Sequence, residues 1–232
     1  DGGVSIALES VDFSYDGNID VLKDISLEIP AGTTVALVGQ SGSGKSTLAD
    51  LIPRFYDPGK GRITIGGIDA RDLRVADLRS LMGNVNQEAI LFNDTIFNNI
   101  AFGVDGASLD DVRRAARIAN ADEFIMATEK GYDTVVGDRG CRLSGGQLQR
   151  ALFGRAIVSD PPVLVLDEPL SYIDRDYERR MCDIVAELSS RTTILLVSHQ
   201  MSEIAATANR HIIVDHTLTE CTHEHHYRPP EC

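Results

Sequence analysis

A glycine-rich loop follows a short apolar run near the start of the chain. The loop, residues 39–46, reads GQSGSGKS and matches the pattern GxxxxGK[ST], and residues 35–38 before it are all apolar. A buried strand, such a loop and a helix, here predicted over 45–51, form a phosphate-binding unit, because the glycines turn backbone N–H groups inward and the helix start adds positive charge. Lys45 can reach the β- and γ-phosphates, and the Ser46 hydroxyl can ligate Mg²⁺. The predicted nucleotide contacts here are Gly39, Ser41, Gly42, Ser43, Gly44, Lys45, Ser46 and Thr47. A flexible Gly/Ser linker would share the composition but not the flanking strand and helix.

A second apolar run ends in two carboxylates. Residues 163–166 are Val-Leu-Val-Leu, and Asp167 and Glu168 follow. In a phosphate-binding fold, Asp167 would hold Mg²⁺ and Glu168 would face the γ-phosphate as general base for the attacking water. Paired acids at a strand end also serve simply to cap the next element, and the phosphate loop upstream favours the chemical role. A helix predicted over 176–188 and an apolar run at 194–197 complete a strand–helix–strand unit, which predicts a parallel sheet.

The pentapeptide Leu-Ser-Gly-Gly-Gln at 143–147 narrows the class of nucleotide-binding protein. It precedes the acidic strand by about 20 residues and begins a predicted helix, so Ser144 and the N–H groups of Gly145 and Gly146 could form an anion site. Taken alone, it would be read as a helix-capping serine followed by flexible glycines. With the other two motifs in this order, the sequence resembles the ABC ATPase family over about residues 5–220.

The resemblance implies a fold and a subdomain order. The fold would be α/β, with a P-loop NTPase (RecA-like) core at 1–87 and 161–220. An antiparallel β part would lie at the N-terminal end of that core, consistent with alternating apolar residues in the first forty positions. An ABC-type helical subdomain would occupy 88–160, and 221–232 would be a flexible His-rich tail of a single domain, 1–232. The tail histidines and cysteines match no closed zinc pattern, and metal binding there is the alternative to a disordered tail.

Four further residues acquire roles from the resemblance. Tyr15 matches the aromatic residue that stacks on adenine, with a core tyrosine at a strand end as the alternative. Gln87 matches the glutamine that senses the γ-phosphate and Mg²⁺, and His199 matches the histidine that contacts the γ-phosphate. Asp174 matches the aspartate that crosses a dimer interface. The implied catalytic residues are Lys45, Gln87, Glu168 and His199, and the implied Mg²⁺ ligands are Ser46, Gln87 and Asp167.

The family resemblance also implies partners. Two such domains would pair head to tail, each ATP lying between the phosphate loop of one copy and residues 144–146 of the other. Residues 134–140 resemble the stretch that touches the coupling helices of a transmembrane domain, which puts the domain at the cytoplasmic face of a membrane. A formal net charge of −13 argues against nucleic acid and against direct adhesion to anionic lipid. No apolar run approaches the roughly 20 residues of a membrane helix, so we expect membrane contact only through the partner.

The two halves of the sequence differ in the branch of the family that they resemble. Residues 1–146 are similar to exporters, whereas 167–174, 198–200 and 215–218 are similar to the ATPases of zinc or manganese importers. A chimera joined near 146–150 is one interpretation, and a single divergent lineage is the other.

Three functional classes follow from the motifs. The first is an ATP-hydrolysing motor of a membrane transporter. The second is a soluble ABC ATPase of DNA repair or translation, although such chains usually carry a long coiled coil or two cassettes. The third is a chain that folds and binds ATP without coupled transport.

Overall fold

The fold is described from a computed structural model over residues 2–87, 89–169, 175–199 and 203–221. Its strands are β1 Ile6–Phe13, β2 Leu22–Ile29, β3 Thr34–Val38, β4 Lys60–Ile65, β5 Ile68–Asp69, β6 Met82–Val85, β7 Val163–Asp167, β8 Thr193–Ser198, β9 Arg210–Asp215 and β10 Thr217–Glu220. Its helices are α1 Lys45–Leu51, α2 Val75–Ser80, α3 Ile96–Ile100, α4 Leu109–Ile118, α5 Asp122–Met126, α6 Gly145–Ile157, α7 Arg175–Leu188 and α8 Glu203–Ala206.

The first sheet is antiparallel, with strand order β2-β1-β4-β5. In β2, the buried residues Leu22, Ile25, Leu27 and Ile29 lie between exposed polar ones, so one face packs on the core. The sequence predicted this alternation. It did not predict β4 and β5, which join the sheet from beyond α1.

The second sheet is parallel from β9 to β6, in the order β10-β9-β3-β8-β7-β6, and β10 closes one edge antiparallel to β9. Every residue of β3, β7 and β8 is buried. Because parallel strands end at the same edge, the segments after β3, β6, β7 and β8 lie side by side. That edge carries the phosphate loop, Gln87, Glu168 and His199.

Two hydrophobic cores lie on the two faces of the parallel sheet. Val35 and Leu37 of β3 pack with the antiparallel sheet and α1, whereas Ala36 and Val38 pack with helices α3, α4 and α6. The arrangement is the α/β fold that the sequence predicted, with helices between β6 and β7. Within the described ranges, no helix combines the length and the apolarity needed to cross a bilayer.

Candidate functional site

An open cleft of about 680 Å³ lies at the carboxyl edge of the parallel strands. Its volume falls in the range of small-molecule sites, roughly 300–1,000 Å³. It is lined by Tyr15, Val21, Gln40, Ser41, Gly42, Gly44, Lys45, Ser46, Thr47, Gln87, Glu168 and His199. All of these except Val21 and Gln40 are predicted site residues; Gln40 lies within the glycine-rich loop, and Val21 lies just before β2.

The phosphate loop presents uncapped N–H groups and a buried cation. Gly44, the N-cap of α1, has φ 100° and makes no side-chain cap, so the first-turn amides of α1 remain available to an anion. The Lys45 ammonium donates to the Gln40 carbonyl at 2.7 Å. Burial lowers the Lys45 pKa, and the nearby carboxylates of Glu168 and Asp167 oppose that shift. A phosphate group would satisfy both the amides and the cation.

Asp167 has a carboxylate oxygen that could hold a metal ion. The residue is only 6% exposed, and its Oδ1 has no hydrogen-bond partner in the described part of the chain. Burial raises the Asp167 pKa to about 6, while a hydrogen bond with Ser46 acts in the opposite direction. An unpartnered buried carboxylate oxygen beside a hydroxyl suits a hard cation such as Mg²⁺. Asp167 and Ser46 therefore fit the predicted ion, and Gln87 lines the same cleft.

Glu168 and His199 are in direct contact. His199 Nδ1 lies 2.8 Å from Glu168 Oε2, with the glutamate side chain 12% exposed and the histidine 56% exposed. Glu168 has φ 51°, a conformation that is uncommon for residues other than glycine. Such strain is concentrated at functional sites. Roles for both residues were predicted, but their pairing was not, because it depends on β7 and β8 being neighbours.

Tyr15 also lines the cleft. Its hydroxyl lies 3.0 Å from Thr47 Oγ1, and its ring makes edge-on contacts with Phe13 at 4.9 Å and Tyr56 at 5.3 Å between centroids. Tyr15 is 55% exposed, which excludes the alternative that it is a core residue. An exposed ring held by two others is suited to stacking on a planar base.

The Leu-Ser-Gly-Gly-Gln segment does not line the cleft of its own chain. Ser144 caps α6 in a capping box: its Oγ accepts from Gln147 N at 3.3 Å, and its N–H donates to Gln147 Oε1 at 3.0 Å. Ser144 and Gly145 are exposed, and an added Cβ at Gly146 would meet no atom within 4 Å. The helix-capping interpretation is therefore correct for the single chain, and a nucleotide role would need a second chain. Asp174 and the tail beyond residue 221 lie outside the described residues.

Comparison with known proteins gives consistent matches. The sequence profile described as "ABC transporter" matches residues 22–171. The chain is 48% identical over 201 residues to the heterocyst differentiation ATP-binding protein HepA of Nostoc sp., covering 87% of this chain and 33% of that protein. It is 45% identical over 212 residues to an ATP-dependent lipid A-core flippase of Vibrio vulnificus, covering 90% of this chain and 36% of the flippase. The structure of a bacterial Atm1-family ABC exporter with ATP bound matches with TM-score 0.89 and 41% identity, over 94% of this chain and 38% of the exporter chain.

These matches bear on the proposed join near 146–150. The family profile runs across it, and exporter relatives align with about nine tenths of the chain. An importer-like second half, and hence a chimera, is therefore not supported. The chain spans about a third of the length of these relatives. It belongs to the ABC transporter family, as an ATP-binding domain.

Proposed function

We propose that this domain binds and hydrolyses ATP with Mg²⁺ and thereby drives a membrane exporter. The observation that carries the proposal is the cleft, where the ends of parallel strands bring together the buried Lys45 and the strained Glu168, with the unpartnered carboxylate of Asp167 buried beside Ser46. Each group has a role in the reaction. Lys45 would face the phosphates of ATP, Asp167 the metal ion and Glu168 the attacking water.

The reaction follows from the chemistry of these groups. ATP binds with its phosphates on the loop amides and Lys45, and with its base on Tyr15. When bound, Mg²⁺ held by Ser46, Gln87 and Asp167 neutralises phosphate charge. Glu168 accepts a proton from water as the water oxygen bonds to the γ-phosphorus and the bond to the β–γ bridging oxygen breaks. His199, which lines the cleft, would donate to the γ-phosphate.

A second copy would complete the site. Exposed Ser144 and Gly145 and the open space above Gly146 are unused by their own cleft, which supports their contact with ATP of a partner domain. Asp174 would reach across the same interface, as the family resemblance implies. ATP would then hold the two domains together until hydrolysis releases them.

Several exposed apolar side chains support contact with a transmembrane partner. Phe92 and Phe102 form a ring pair at 4.6 Å between centroids on the surface, with Ile90 and Val135 also exposed. Val135 lies in the 134–140 stretch that resembles the contact to coupling helices. The domain would therefore sit at the cytoplasmic face of a membrane, with the export activity belonging to the longer protein. Its acidic charge supports neither a nucleic acid nor a lipid surface as a direct partner.

Substitution of Lys45 tests the proposal. Lys45→Ala removes the main cation for the β- and γ-phosphates, so Mg-ATP binding measured by calorimetry should be nearly abolished. Lys60→Ala is the matched control, because Lys60 is exposed and pairs with Asp12 at 3.3 Å on the surface. Unchanged affinity in the Lys45 variant would reject the phosphate-loop assignment. If ATP turns over but fusion to the matching transmembrane segment leaves the rate unchanged, the uncoupled alternative replaces transport.

A further inference from the structure

The turn between β9 and β10 contacts both the phosphate loop and the residues around the start of β2. At its centre, the His216 backbone N–H donates to the Ser43 carbonyl at 3.0 Å, and the His216 carbonyl accepts from Lys23 N–H at 2.9 Å. The His216 ring adds a third bond, with Nδ1 lying 2.9 Å from the Val21 carbonyl. One residue thus joins the phosphate loop to the segment that leads into β2.

In the proposed function, these two segments would hold opposite ends of a nucleotide. Ser43 belongs to the phosphate loop, and Val21 lines the cleft, as Tyr15 does. The Val21 N–H donates to the Phe13 carbonyl at 2.8 Å, so Val21 is tied at its N–H to the strand that carries the aromatic cluster. The ring of His216 ties the same residue at its carbonyl. His216 therefore adds a tie between two segments that also touch directly, where the Tyr15 hydroxyl lies 3.0 Å from Thr47 Oγ1 and where Val21 and Leu22 pack against Gly44.

The contact is built into the packing of the hairpin. An added Cβ at Gly39 would overlap the Val214 carbonyl oxygen, so β9 already abuts the start of the loop and leaves no slack there. His216 has φ 57°, in the left-handed region where glycine and asparagine are the favoured residues. Because a carbonyl oxygen only accepts, Nδ1 carries the proton and donates to Val21. The ring bond thus accompanies a backbone conformation for which histidine is a disfavoured residue.

We propose that His216 is a positioning residue for nucleotide binding, which braces the phosphate loop against the base-facing segment around Tyr15 and Val21. The inference rests on the proposed function, because it assumes that phosphates and base occupy these two places. It assigns no chemical step to His216. A ligand that touches both segments should depend on the brace, and a ligand that touches only the loop should not.

The test compares Mg-ADP with Mg-pyrophosphate by calorimetry on the whole chain, since neither ligand is hydrolysed at a γ-phosphate. His216→Gly removes the ring but suits the left-handed backbone, so the fold should be retained. Loss of one hydrogen bond predicts a roughly three- to tenfold weaker ADP affinity, with pyrophosphate affinity within about twofold of the parent. His216→Asn should restore ADP affinity, because its amide nitrogen occupies the place of Nδ1 and can donate to Val21.

Two further variants complete the design. His211→Asn is the matched control, since the ring of His211 also bonds a carbonyl, Ala205 O at 2.8 Å, but lies outside the residues that line the cleft. His216→Ala is a second donor-less variant should the glycine variant unfold. Equal loss of ADP and pyrophosphate, unchanged ADP affinity in both donor-less variants, or failure of asparagine to restore it would overturn the brace. A parent chain that binds neither ligand would instead refute the proposed nucleotide site.

Discussion

Among the single residues of the site, Asp167 is buried, and burial disfavours the ionised carboxylate that the proposed Mg²⁺ site needs. Its carboxyl is buried with one oxygen unpartnered, and burial raises its pKa to about 6. In the unfolded chain, the carboxyl would ionise near its ordinary value of 3.8. The protonated carboxyl therefore makes its full contribution to the free energy of unfolding below about pH 4. That contribution is lost as the pH rises through about 6. At neutral pH, the ionised group destabilises the nucleotide-free domain.

Asp167→Asn should stabilise the nucleotide-free domain while impairing Mg-ATP binding. The uncharged isostere removes a penalty of up to about 3 kcal/mol at pH 8 and less at pH 5, where the parent carboxyl is largely protonated. Urea unfolding at both pH values, without Mg²⁺ or nucleotide, measures the difference. A less stable variant at pH 8 would contradict this account of Asp167.

Glu168→Gln should separate binding from chemistry. The amide keeps the size of the side chain but cannot accept the water proton, so Mg-ATP binding should persist while hydrolysis slows by roughly 10²-fold or more. Phosphate release measures the rate. Glu187→Gln, an exposed change on α7, is the control and should match the parent. Hydrolysis at the parent rate in the Glu168 variant would exclude Glu168 as the base.

At the scale of elements, helix α6 and strand β6 pack at close range. An added Cβ at Gly83 of β6 would overlap the Ala156 carbonyl oxygen of α6, whereas one at Gly154 of α6 would find its nearest neighbour at 3.7 Å. The helix that begins at the Leu-Ser-Gly-Gly-Gln segment is thus seated on the strand that leads to Gln87. A substitution at this contact should therefore change the stability of the fold more than it changes nucleotide binding in the cleft.

Gly83→Ala and Gly154→Ala should therefore have opposite effects. The first forces backbone apart and should lower the free energy of unfolding by about 1–3 kcal/mol. The second makes ordinary contacts and should be neutral or raise it by up to about 1 kcal/mol, because alanine favours helix. Denaturant unfolding of both variants tests the contact, and equal stabilities would show that β6 and α6 are not tightly seated.

At the scale of the whole molecule, the cleft and the Leu-Ser-Gly-Gly-Gln segment belong to separate surfaces of one chain. The chain should therefore be monomeric without nucleotide, because ATP would supply much of the contact between two copies. Its phosphate charge would be neutralised by Lys45 and Mg²⁺ together with the N–H groups of the partner's Leu-Ser-Gly-Gly-Gln segment. Glu168→Gln with Mg-ATP should form a dimer by light scattering. Adding Ser144→Arg should keep ATP binding but prevent the dimer, because the larger cation occupies the contact surface. A stable nucleotide-free dimer would contradict this view.

The motifs and the elements that carry them could be predicted from the amino-acid sequence alone. Helix α1 spans Lys45–Leu51 as predicted, and β7 ends at Asp167 as its apolar run indicates. The predicted nucleotide contacts of the phosphate loop follow from its pattern of glycine, lysine and serine alone. Such features are local: a glycine loop, a helix start and a buried strand each depend on residues within a few positions of one another.

Contacts between distant segments of the chain could not be predicted in this way, because they depend on how the strands pair and pack. The contact of Glu168 with His199 exists because β7 and β8 are paired. Strand β4 pairs with β1 although the phosphate loop and α1 lie between the two strands in the sequence. His216 reaches Val21 across 195 positions because β9 lies beside β3. Strand order depends on how whole faces bury one another, and an apolar run five or six residues long is equally suited to several neighbours. Periodicity therefore predicts that a strand forms, while packing of both faces of the sheet selects its partner.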